Sequence, residues 1–150
     1  MTTKVTWVLV ADAAGARLLR ADVASRSLAV ERTYRHEAGR AKPSELVEDR
    51  PGRSFDSSHA GGRHAMEPDT DLKRAQLRRF VRELAGELDE AAAADRFDEL
   101  VVCAGPQMLG ELRDALPERV ATRVRHELGK DLAGLDVPQL APHLAPVLWP

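Results

Sequence analysis

One cysteine, Cys103, in 150 residues excludes an intramolecular disulfide and any zinc cluster built from several thiolates. Aromatic side chains make up 4% of the sequence, which weakens any reading that needs a stacking platform for nucleic-acid bases. No apolar run approaches the roughly 20 residues that cross a bilayer. The start, Met1-Thr-Thr-Lys-Val5, lacks a charged region leading into a long apolar one, so no signal peptide is read. An excess of one charge is missing too. With a formal net charge of −2, any contact with a polyanion must come from a local patch. There is no internal repeat and no composition break, so residues 1–150 are expected to form one cytoplasmic domain with one core.

The pattern that remains is α/β. Val5 to Ala11 is a nearly continuous apolar run, as in a central strand buried on both faces. The turn Asp12-Ala-Ala-Gly15 follows, with Gly15 expected to use its freedom to take positive φ. Ala16 to Ala21 and Leu28 to Tyr34 read as two more strands on short connections, hence an antiparallel meander. Asp69 to Asp95 is the clearest helix: Leu72, Leu77, Phe80, Val81, Leu84, Leu88 and Ala91 form one apolar stripe. Asp69 or Thr70 is expected to cap it, with Pro68 stopping any helix entering from the loop. Leu100 to Ala104 is a short buried strand, and Pro106 opens a helix running through Leu116. Val120 to Leu128 alternates like a strand with one wet face, although Val120, Val124 and Leu128 also fit a helix. Prolines at 138, 142, 146 and 150 predict short helical turns in the tail, since interior prolines cost about 3 kcal/mol each. The order gives a mixed sheet covered by helices, compatible with an RNase H-like topology.

Set into this pattern is a long polar excursion from Arg35 to Pro68. Its only large apolar side chains are Leu46, Val47, Phe55 and Met66, so it cannot bury itself, and a mobile loop is expected. From Arg50 to Met66, Arg50, Arg53 and Arg63 face one acid, Asp56, with His59 and His64 beside them. That composition suits a polyanion. Gly61-Gly62 allows close backbone approach and places amides and cations against phosphate or a reacting ester; the same pair is equally a hinge of the kind found in linkers.

The other candidates are weaker. His36, His59, His64, Asp56 and Glu67 offer metal donors, but their spacing matches no tight ligand motif, and no metal or cofactor is assigned. Cys103 precedes a helix N-terminus, where a thiolate gains stability; burial as a small apolar side chain is the simpler reading. Gly105 to Gly110 outlines a phosphate loop, but Glu111-Leu112 stands where Lys-Ser/Thr is needed and Pro106 removes an amide, so nucleotide binding is rejected. Asp12 has no acidic partner for metal-dependent nuclease chemistry and reads as a turn residue. Arg123 and Arg125 read as a small solvated basic face.

The runs Asp49-Arg-Pro-Gly-Arg-Ser-Phe-Asp-Ser57 and Gly62-Arg-His-Ala-Met-Glu-Pro68 resemble the bacterial host attachment protein family, proteins required for attachment to host cells. That family is also described as family 12 of the bacterial relatives of archaeo-eukaryotic release factors. Thr6 to Asp12, Phe97 to Val101 and His126 to Leu132 resemble it as well. The resemblance implies a domain similar to the central domain of class-1 release factors, where a Gly-Gly-Gln loop before a long helix promotes hydrolysis of peptidyl-tRNA. Gly61 and Gly62 match the two glycines and Arg63 stands at the glutamine position. A guanidinium has no acceptor and stays charged, so Arg63 cannot orient a water as glutamine does, but it can hold phosphate bidentately.

Two functions follow as expectations. The first is ribosome or tRNA binding, with Gly61, Gly62 and Arg63 as the reactive loop if peptidyl-tRNA is hydrolysed in ribosome rescue. Arg50, Arg53, His59, Arg63 and His64 would then bind RNA. The second is a non-catalytic cytoplasmic interaction protein that is needed for host attachment only indirectly.

Overall fold

The β1 segment, Thr6–Asp12, is the axis of the molecule, and Trp7 to Ala11 are all 3% exposed or less. A strand this apolar on both faces needs cover above and below. The computed structural model describes residues 4–36 and 66–150, apart from the side chains of 66–69. In chain order the remaining elements are β2 (Gly15–Asp22), β3 (Ser27–Arg35), α1 (Met66–Ala93), β4 (Glu99–Ala104), α2 (Pro106–Ala115), α3 (Glu118–Ala121), β5 (Val124–Leu128) and α4 (Val137–Leu148). Together they make one α/β domain.

The five strands form a mixed sheet in the order β3-β2-β1-β4-β5. The meander is present as expected, with β1, β2 and β3 pairing antiparallel. Strands β4 and β5 add in parallel on the other side of β1. Because strand side chains alternate, β1 divides between two cores. Trp7, Leu9 and Ala11 face α1, α2 and α3 with Leu84, Leu88, Phe97 and Leu112. Val8 and Val10 face α4 with Leu140, Leu144 and Leu148.

The apolar stripe expected for the long helix is buried from Leu77 on, with Leu77, Phe80, Val81, Leu84, Leu88 and Ala91 all within 8% exposure, while Leu72 at its start is half-buried. The helix starts at Met66, however, ahead of Pro68. Proline is tolerated in a first turn because its missing N–H lacks an intrahelical acceptor there. Asp69 and Thr70 therefore lie inside the helix and are not its caps.

Three further expectations are corrected. Gly15 does not take a positive φ; glycine is needed there because a Cβ would meet the Tyr34 carbonyl oxygen at 2.5 Å. The segment 118–128 is neither one strand nor one helix. Val120 sits in the short α3, and β5 begins only at Val124. The tail forms one helix of 12 residues with Pro142 and Pro146 inside it. Pro138, Pro142 and Pro146 are all exposed while Leu140, Leu144 and Leu148 are buried. The carbonyls those prolines leave unpaired thus face water, which satisfies them, while the leucines hold the helix on the sheet. A capping box at Asp136 and Gln139 starts it, each side chain bonding the other's backbone N–H at 2.9 and 3.0 Å.

Candidate nucleic-acid interface

The seven residues that sequence reasoning put in the reactive loop or the RNA-binding set, Arg50, Arg53, His59, Gly61, Gly62, Arg63 and His64, lie outside the described residues. What the structure defines is the ground on which that segment is mounted. Its two flanks are the C-terminal end of β3 and the N-terminal end of α1.

The β3 end is fastened at three points. The β1–β2 turn is drawn tight by Asp12, whose Oδ1 accepts N–H bonds from Ala14 (2.8 Å) and Gly15 (3.1 Å). That geometry satisfies the short-range turn role expected for Asp12. Gly15 then pairs with Arg35 at the end of the β2–β3 ladder. Beyond the strand, the His36 backbone N–H donates to Ala14 O at 3.0 Å, and its Nδ1–H donates to Ala13 O at 2.7 Å. The His36 ring lies parallel to Phe80 of α1, with centroids 4.5 Å apart and 1° between planes. His36 is thereby used for fastening; the other metal donors weighed with it, His59, His64, Asp56 and Glu67, have side chains outside the described residues.

Beside this junction is an open depression of about 320 Å³ whose lining includes Asp12, Arg17, Thr33 and Arg35. Arg17 is committed to structure, donating through its guanidinium to the carbonyls of Ala133 (3.0 Å) and Leu135. It ties β2 to the segment leading into α4.

Among the remaining sequence candidates, Cys103 is fully buried. Burial pushes its thiol up to about 12, against a smaller opposing effect from Lys130. That is the reverse of a reactive thiolate. Gly105 is the N-cap of α2 with Pro106 directly after it, in keeping with the rejected phosphate loop. Arg123 and Arg125 are not a free basic face, which corrects the expectation. Arg123 donates to Phe97 O at 2.6 Å and to Asp95 at 3.2 Å, and lies over the Phe97 ring. Arg125 pairs with Glu99 at 3.2 Å. Both clasp β5 to the end of β4.

Sequence reasoning missed Arg17 and the His36–Phe80 stack, because contacts between residues so far apart leave no periodic signal. It also drew nothing from the cations of α1. Their spacing was visible; their surroundings were not.

Fold and junction together define a small α/β domain with a long connection, residues 37–65, between an edge strand and a long helix. The family model described as "Protein required for attachment to host cells" matches residues 7–144, and the chain belongs to that family. No curated protein matches the chain. Among the described residues no helix is long and apolar enough to cross a membrane.

Proposed function

We propose that this domain is a release-factor-like module that meets ribosomal RNA or tRNA through the segment containing Arg50, Arg53, Gly61, Gly62 and Arg63. The observation that carries the reading is where that segment is mounted. It leaves β3 at a fastened end and re-enters directly before a long helix. This is the relation of Gly-Gly loop to helix that the resemblance to release factors implies. The strand order β3-β2-β1-β4-β5, antiparallel on one side of β1 and parallel on the other, also suits an RNase H-like domain of that kind. A fastened β3 end fixes where the segment begins, which lowers the entropy cost of meeting a partner.

In the catalytic form of this proposal, backbone amides around Gly61-Gly62 stabilise the oxyanion as water attacks the peptidyl-tRNA ester. Arg63 contributes phosphate binding, since it cannot accept a proton. The experiment is incubation of the protein with stalled ribosome–nascent-chain complexes, scoring co-sedimentation and peptide release, with Gly62→Ala alongside. Release lost in the variant supports a rescue hydrolase. Binding without release supports a non-catalytic ribosome factor.

The family description favours a second reading, an interaction protein on which attachment to host cells depends indirectly. Neither co-sedimentation nor release in that experiment would move the weight to it.

A further inference from the structure

From Lys73 to Arg82, α1 carries Lys73, Arg74, Arg78, Arg79 and Arg82 and no acid; from Glu83 to Glu90 it carries Glu83, Glu87, Asp89 and Glu90 and no cation. Past its first six residues, which carry Glu67, Asp69 and Asp71, the helix thus divides into a basic half and an acidic half, and its last turn holds no base.

Helix stability alone does not account for this division. Arg74, Arg78 and Arg82 follow one another at i, i+4, where like charges repel and a Glu–Lys alternation would attract. Acids near the C-terminal end also oppose the helix dipole. A sequence that breaks these local rules across consecutive turns without a packing gain marks a surface kept for another reason.

The two halves differ in their partners. The acidic half is used within the fold: Glu87 pairs with Arg32 at 3.2 Å, and Asp89 lies 3.1 Å from Arg119. In the basic half only Arg78 has an ion-pair partner among the described residues, Glu111 at 3.6 Å with the Arg78 side chain 54% exposed. Arg74, Arg79 and Arg82 are exposed. Four residues of helix rise about 6 Å, so the row of Arg74, Arg78 and Arg82 climbs in steps comparable to successive phosphates of one strand. Four of the five cations are arginine, whose planar fork takes phosphate oxygens in pairs.

We infer that this face of α1 is a phosphate-binding surface for an RNA strand, one that lies outside the Gly-Gly segment. The inference deepens the RNA reading above and rests on it. Its ligand is the sugar–phosphate backbone, so it adds affinity without base preference. Arginine forks and regular spacing favour RNA over an acidic protein as the occupant.

The test measures fluorescence polarisation of a labelled tRNA transcript across a salt series with the full chain. It compares Arg74→Gln/Arg79→Gln/Arg82→Gln with Arg50→Gln/Arg53→Gln/Arg63→Gln and with the control Arg20→Gln, an exposed cation on β2. For the α1 triple variant the expected result is at least tenfold weaker binding. Its slope of log affinity on log salt should be shallower by about 2, since each phosphate contact on a single strand contributes roughly 0.7. The control should be unchanged, and circular dichroism should show every variant folded.

Loss in the α1 triple with the 50/53/63 triple unaffected supports the α1 surface and removes the Gly-Gly segment from RNA binding. Loss only in the 50/53/63 triple overturns the α1 surface and leaves the proposed function standing. Loss in both places the two on one interface. Binding of polyglutamate but not of tRNA by the parent chain would overturn the inference in favour of an acidic protein partner.

Discussion

The carbonyl oxygen of Tyr34 lies 2.5 Å from the point where a Cβ on Gly15 would stand. Two strands therefore meet at the one residue that has no side chain, at the place where β3 ends. Gly15→Ala must push that end of β3 off β2. The expected cost is about 1–3 kcal/mol, the range for forcing an extra methyl into a packed site. Urea unfolding measures it. A midpoint equal to that of the parent would show that the β3 end is not held by this contact.

Cys103 gives a pH dependence with a definite sign. Burial raises its folded thiol to about 12, from the ordinary value of 9.0 that it keeps in the unfolded chain. Below pH 9 both states keep the proton and the stability is fully present. Above it the unfolded state ionises first, so stability falls as pH rises toward 12, by about 1.4 kcal/mol per unit. Cys103→Ala should flatten this part of the curve, at the cost of a small cavity. An unchanged alkaline slope in the variant would assign the loss to other groups. In the same window the native thiol should resist alkylation until the protein unfolds.

Helix α4 is held by its leucines and weakened by its prolines. Leu144 is fully buried against the sheet, and Leu144→Ala should cost about 2–5 kcal/mol. Pro142 and Pro146 are exposed interior prolines. Pro142→Ala restores an N–H that can donate to the Pro138 carbonyl and should raise the thermal midpoint. A fall would mean that the fixed proline φ stiffens this helix by more than the lost hydrogen bond weakens it.

Trp7 is stacked on Phe97 with centroids 4.8 Å apart, and its buried Nε1–H has no acceptor among the described residues. The Arg96 guanidinium lies over its ring at 5.6 Å. Trp7→Phe removes a stranded donor while keeping the stack, so the loss of packed area and the relief of the donor offset each other. The expected net change is within about 1.5 kcal/mol, well short of the roughly 3–5 kcal/mol for aromatic-to-alanine truncation. A loss in that larger range, read by urea unfolding, would show that the indole N–H is satisfied in the folded protein.

Arg26 and Asp95 both hold φ at 54°, in the left-handed region that costs an L-residue about 1–2 kcal/mol. Arg26 has no ion pair to lose among the described residues, whereas Asp95 holds Arg123 at 3.2 Å. Arg26→Gly should therefore stabilise by roughly 0.5–1 kcal/mol after the added freedom of the unfolded chain. Asp95→Gly should gain less or nothing. Thermal unfolding of the pair, side by side, checks the order.

Much of the frame was legible in the residues themselves. The apolar run in β1, the meander of β2 and β3 and the stripe on α1 follow from periodicity, which acts within one element and survives being read in one dimension. The buried fate of Cys103 and the turn role of Asp12 were legible for the same local reason. The family was legible too, from runs spread over nearly the whole chain.

What tertiary structure decided is everything that depends on which way an element faces. The four-residue proline spacing near the C-terminus predicted a broken tail. Because the same spacing puts every proline toward water and every buried leucine toward the sheet, the tail is one helix. Gly15 was matched to backbone freedom, and the approach of Tyr34 from another strand made it a matter of space. Arg123 and Arg125 looked solvated until β4 and its flanks supplied Asp95, Phe97 and Glu99 as partners. In α1, neighbouring elements use acids of one half, while most of the cations of the other half remain unpaired among the described residues. Composition and spacing set which residues are apolar, charged or flexible. Only the packing of distant segments against one another decides which of those charges are already spoken for.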